Sequence, residues 1–138
     1  MEFNEMVRWA ERKFDVRIEL SDKELGTYLA AYFTSENVIR VGPEGKTIRV
    51  LAHELGHYLG FKGKPRAMNQ LDYAAEEVIA DTVARQFLMY INQWTQQNEE
   101  EHDRILSFYT PMLDTFQVPV KPAMQQVLTR TAELINAL

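Results

Sequence analysis

Hydrophobic positions recur along this chain at two spacings. Phe3, Met6, Val7, Ala10 and Phe14 fall three or four apart, which predicts a helix over residues 2–14. "DVRIEL" then alternates apolar and polar through Val16, Ile18 and Leu20, the period of a strand. "GTYLAAYF" reads as a second strand, although its alanines leave a helix open, and "NVIRVG" reads as a third. "GPEG" is a turn. "TIRVLAHELGHYLG" starts β-like and becomes helical, with Gly60 as its expected stop.

The second half is helical in pattern. "YAAEEVIADTVARQFLMYINQW" carries a buried stripe of Ala80, Ala84, Phe87 or Leu88, and Ile91. Asp72 is expected to cap it, with Glu76 and Glu77 near its first turn. "TQQNEEEHDR" continues or leaves that helix as a solvated charge run. "HDRILSFYTPMLDTF" predicts a further helix disturbed at Pro111, and "AMQQVLTRTAELINAL" a last amphipathic one. The expected fold is α+β: a small antiparallel or mixed sheet of about three short strands, packed with helices. One domain over residues 1–138 is expected, with a core over 1–92 and a helical C-terminal extension over 93–138.

Composition narrows the function. A net charge of −5 with no Lys/Arg cluster argues against direct nucleic-acid binding. No cysteine is present, so Cys-ligated metal, disulfides and thiol nucleophiles drop out. No run approaches the roughly 20 apolar residues of a membrane span, and the first residues lack a signal-peptide core. The expectation is a cytoplasmic protein that acts on neither membrane nor nucleic acid.

The candidate chemistry lies in His53-Glu54-x-x-His57. On a helix, positions i and i+4 differ by only about 40° in rotation, so both imidazoles can reach one metal ion. Glu54 is turned about 100° from His53, where it can face a water molecule on that ion. This is the H-E-x-x-H arrangement, in which the glutamate is the general base of a zinc peptidase.

The third ligand has several candidates. The extended motif H-E-x-x-H-x-x-G-x-x-H is excluded, because Gly63 stands where its last histidine belongs. His102 is the one other histidine, and its charged surroundings predict exposure. Glu77 and Asp81, four apart, share one helix face. Glu77 can complete a His₂Glu site, and Asp81 can accept the free ring N–H of a ligand histidine. Glu76 is the rival, without an acidic partner one turn on. Tyr73, one turn before Glu77, is a candidate stabiliser of transition-state charge. Tyr58 is expected to pack or to reach a loop, and Arg85 to be solvated. "ENVIRVG" is the expected sheet edge for a peptide substrate, and "KGKPR" either frames the cleft or lies exposed.

"HELGH" followed by "EVIADTVARQFLM" resembles the ImmA/IrrE family of metallopeptidases, whose second motif is close to E-x-E-A-[ND]-x-F-A-x-x-L-L-M-P. Glu77, Ala80, Asp81, Ala84, Leu88 and Met89 match it, while Ile79, Val83 and Tyr90 depart from it. The resemblance spans roughly residues 1 to 90. It implies a zincin-like active-site helix, a following ligand helix and one Zn²⁺ in a gluzincin-like site. By position, His53, His57 and Glu77 become the ligands and Glu54 the base. It further implies an endopeptidase acting on a protein regulator such as a repressor. The alternative is a regulatory binding protein that keeps the fold and the metal but cuts little.

Overall fold

The first helix forms where the 3.6-residue period predicts it. The computed structural model describes residues 1–65, 67 and 69–136, apart from the side chains of residues 134 and 135. Helix α1 (Phe3–Lys13) buries Met6, Val7 and Ala10 on one face. Three short strands follow: β1 (Arg17–Leu20), β2 (Ala30–Phe33) and β3 (Val38–Val41). Strand β3 is central, parallel to β1 and antiparallel to β2. The fold class is therefore α+β with a mixed sheet, as expected.

That order corrects one expectation. β3 was the predicted free edge, but it is paired on both sides. β2 is the edge beside the cleft. Leu29 C=O accepts from Gly42 N–H, so alternate residues Ala30 and Tyr32 turn their backbone groups away from β3.

Helix α2 (Ile48–Phe61) begins earlier than its β-branched start implied. Thr47 caps it by accepting from Val50 N–H, and this outweighs the weak strand preference of Ile48 and Val50. Nor does Gly60 end it. Gly60 lies inside the helix, where a Cβ would sit 3.4 Å from Val127 Cγ1. Gly63 provides the stop, with φ at +76° just past the helix end.

Helix α3 (Gln70–Tyr90) is capped by Asn69, not by Asp72. Asn69 Oδ1 accepts from Asp72 N–H, and Asn69 Nδ2 donates to the Asp72 carboxylate. Asn92, at φ +59°, turns the chain into α4 (Gln96–Thr115). The polar run after Trp94 thus opens a new helix, capped by Thr95, and that helix runs through Pro111 without a break. α5 (Val120–Asn136) ends the described chain. Both C-terminal helices pack onto α3, around Ala74, Val78 and Leu113. Arg130 on α5 donates to the Leu59 and Gly60 carbonyls, which closes the open end of α2.

The core joins α1, the sheet, α2 and α3 through Met6, Ile39, Leu51, Leu55, Val83 and Phe87, all fully buried. One crossing sets the geometry of the site. A Cβ on Gly56 would lie 2.1 Å from the Ala80 carbonyl oxygen, so α2 and α3 touch backbone to backbone there. Gly56 sits between His53 and His57, and Ala80 sits between Glu77 and Asp81.

Candidate metal centre

The close crossing brings the two helix faces into direct contact. His53 Nε2 lies 2.9 Å from Glu77 Oε2, and His57 Nε2 lies 3.0 Å from Glu77 Oε1. The two Nε2 atoms are 3.2 Å apart. His53, His57 and Glu77 each offer a ligand atom within 4.8 Å of the others, a group that can hold a metal ion together.

The donor set fits a divalent cation. Metal–ligand bonds of about 2.0–2.1 Å in a tetrahedron imply ligand–ligand edges of roughly 3.3–3.4 Å. The observed separations need to open by only a few tenths of an ångström. The opposite ring nitrogens are already engaged. His53 Nδ1 meets Asp81 Oδ1 at 2.7 Å, and His57 Nδ1 meets Glu76 Oε1 at 3.1 Å. A carboxylate only accepts, so each Nδ1 carries the hydrogen, and loss of the Nε2 proton that bonds Glu77 would leave each ring's Nε2 lone pair facing the place where a metal ion would be held.

The electrostatics describe the same site. Burial works to lower the pKa of both histidines, but the carboxylates around them outweigh it. Asp81 and Glu77 raise His53 to about 9, and Glu76 and Glu77 raise His57 to about 10. Burial pushes the Glu77 carboxyl upward, yet hydrogen bonds from both histidines hold it well below the usual carboxylate range. Burial also opposes ionisation of Asp81, and bonds from His102 and His53 reverse that effect. Three carboxylates, Glu76, Glu77 and Asp81, around two imidazoles form a strongly cation-attracting site, in which protons and metal ions compete for the Nε2 lone pairs.

Glu54 is buried on the neighbouring face of α2 and lines the same cleft. Burial raises its pKa, with His57 and His53 acting against the rise. The cleft measures about 860 Å³ and runs between β2 and the start of α3. Its walls include Ala30, Tyr32, Tyr73 and Lys64. Part of "KGKPR" therefore frames the cleft, through Gly63, Lys64 and Pro65, while Arg66 lies outside the described residues. Tyr73 is half exposed, with its ring 6.1 Å from that of Tyr109 on α4. Tyr58 packs inward, and its hydroxyl accepts from Asp15 N–H.

Four residues stand differently from what the sequence suggests. His102 is buried, not exposed, and its Nδ1 lies 2.7 Å from Asp81 Oδ2. The signal was present: His102, Leu106, Tyr109 and Leu113 share one helical stripe that faces inward. The surrounding acidic residues hid that phase. Arg49 reaches both Asp81 oxygens, at 2.8 and 2.9 Å. It stands one turn before His53 on the same face, a spacing that could have identified it. Glu76 has no acidic partner one turn on, yet it meets His57 Nδ1; nothing in the sequence distinguishes that contact. Arg85, expected to be solvated, donates to Glu99 beside Trp94.

No family model matches the chain, and no curated protein matches it either. Among solved structures, it is similar to the antirestriction protein ArdC from the R388 plasmid, in a Mn(II)-bound crystal structure. The TM-score is 0.62 at 17% identity, over 94% of this chain and 52% of ArdC. The chain thus spans about half the length of that protein. The likeness is one of fold.

Proposed function

We propose that this chain is a zinc-dependent endopeptidase that hydrolyses peptide bonds in a specific protein partner, such as a regulator or repressor. The observation that carries this reading is Glu54, standing beside His53, His57 and Glu77 on the wall of one open cleft. A site that only stored a metal would have no use for a carboxylate held ready in that place. The resemblance to the ImmA/IrrE family points the same way.

In this mechanism His53, His57 and Glu77 hold the ion, and Asp81 and Glu76 fix the two imidazoles. The bound ion supplies Lewis acidity toward water and toward the scissile carbonyl. Glu54 accepts a proton from the attacking water as the C–O bond forms. It returns that proton to the amide nitrogen as the C–N bond breaks. Burial raises the Glu54 pKa, which makes its carboxylate a stronger base. Tyr73 is the chain's own candidate donor to the developing oxyanion. Burial and the charge of Glu77 push its pKa up, so the hydroxyl keeps its proton. The outward backbone groups of Ala30 on β2 offer an extended substrate a strand to pair with. Such a protein works in the cytoplasm, and its partner is a protein or peptide rather than nucleic acid.

Glu54→Gln tests the assignment. The variant should bind metal as the wild type does and lose peptide hydrolysis by about 10²-fold or more. Unchanged cleavage of a candidate partner by Glu54→Gln would show that the base lies elsewhere.

The likeness to ArdC favours a second reading: a metal-binding regulatory or antirestriction protein that cuts little or nothing. In that reading Glu54→Gln leaves protection from restriction intact. The ArdC structure holds Mn(II), whereas zinc is the ion proposed for this chain. Two imidazoles favour zinc over manganese at this site, and the carboxylate suits both. Metal content of protein purified without chelators decides which ion it holds.

A further inference from the structure

We propose that His102 is a positioning residue for the metal centre, acting through Asp81 on the ring of His53. This rests on the metal-binding reading of His53, His57 and Glu77, and it assigns part of the C-terminal extension a task in that site. Asp81 is fully buried, so no solvent competes for its oxygens. His53 Nδ1–H donates to Oδ1, and His102 Nδ1–H donates to Oδ2, each at 2.7 Å. Arg49 Nη2 lies between the two oxygens. The carboxylate is thus held from three sides, and each side fixes its rotation about Cβ–Cγ.

Removing the His102 donor changes that balance. Oδ2 is then left with Arg49 alone, which contacts both oxygens alike, and the carboxylate is free to turn about Cβ–Cγ. Oδ1 leaves the line of His53 Nδ1–H, and the His53 ring is released from the tautomer that presents Nε2 to the metal. A hydrophobic residue would serve simple packing on the inward stripe of α4 better than a histidine does, since its other members are Leu106, Tyr109 and Leu113. The depth of His102 is set separately. Thr95 caps α4, and Glu99 accepts from both Trp94 Nε1 and Arg85 Nε, which ties the first turn of α4 to α3.

Zinc titration of the full chain against a competing chelator tests this. His102→Leu, which keeps bulk and loses the donor, should bind zinc about 10- to 100-fold more weakly than the wild type. His102→Asn places an amide N–H near the Nδ1 position and should restore most of the affinity. Glu99→Gln loosens the anchoring of α4 without touching Asp81 and should bind zinc as the wild type does. Wild-type affinity in His102→Leu overturns the proposal. So does an equal loss in His102→Asn or Glu99→Gln, because that pattern belongs to packing. Failure of the wild type itself to bind zinc or manganese removes the metal centre, and this proposal with it. If His102→Leu does not fold, ring ¹⁵N spectra of the wild type and His102→Asn decide. The proposal requires a slowly exchanging His102 Nδ1–H in the wild type and a His53 Nδ1–H retained in His102→Asn. Loss of either signal overturns it.

Discussion

Glu76 and Glu77 are adjacent in sequence and nearly equivalent as candidate ligands, yet they serve different atoms. Glu77 faces both Nε2 nitrogens, whereas Glu76 meets only His57 Nδ1. The 100° between neighbouring helix positions separates the two carboxylates and so divides the roles. The two glutamine variants should therefore behave unequally. Glu77→Gln removes a charged ligand and should weaken metal binding by roughly 100-fold or more, while Glu76→Gln should cost about 10-fold. Calorimetric titration of both variants checks this, and a larger loss in Glu76→Gln would reverse the assignment. The sequence contained both residues. The pairing with Asp81 favours Glu77 as the ligand, but that Glu76 meets His57 Nδ1 is visible only once α3 is packed on α2.

At the scale of elements, the site depends on one helix crossing. The glycine of HELGH has no side chain to contribute, but without it α3 could not approach. Gly56→Ala should gain about 1 kcal/mol in helix propensity. Against that stands a methyl group 2.1 Å from a carbonyl oxygen, and relief of such overpacking costs about 1–3 kcal/mol or more. The clash wins, and separating the helices also moves Glu77 away from the histidines. Gly56→Ala should show both a lower unfolding free energy in urea and weaker metal binding. Arg130 supports the far end of the same helix. Arg130→Ala leaves the Leu59 and Gly60 carbonyls without that donor and should cost about 1–2 kcal/mol in the same measurement. Gly60 and Asp72 show why element ends were misread. Each residue type suits a terminus, but Gly63 and Asn69 hold the termini because their neighbours leave them the needed backbone geometry and side-chain bonds.

For the whole molecule, the centre joins parts of the chain that are far apart in sequence. Arg49 and His53 come from α2, Asp81 from α3 and His102 from α4, and all of them meet on one buried carboxylate. Metal binding should therefore be coupled to the stability of the fold. A ligand at 100 times its Kd stabilises by about 2.7 kcal/mol, which for a chain of this size raises Tm by roughly 10 °C. Scanning calorimetry with zinc and then with excess chelator should show that rise and its reversal. A Tm indifferent to both would count against a metal centre built into the core. Among the described residues, no helix is long and apolar enough to cross a membrane.

Local pattern in the sequence was enough to predict α1, the three strands and the helical part of α2 around His53 and His57, though not the ends of α2, and the pairing of His53 with His57 at one-turn spacing. It also placed Glu77 and Asp81 on one face, because helical rotation is the same in every helix. Contacts between elements have no such rule. The central position of β3, the burial of His102, the part of Arg49 and the division of labour between Glu76 and Glu77 depend on how separate elements pack. The close approach of Gly56 to Ala80 is the contact on which the geometry of the site turns. A sequence motif can name the residues on each helix face; only the packed chain sets the distance between the two faces.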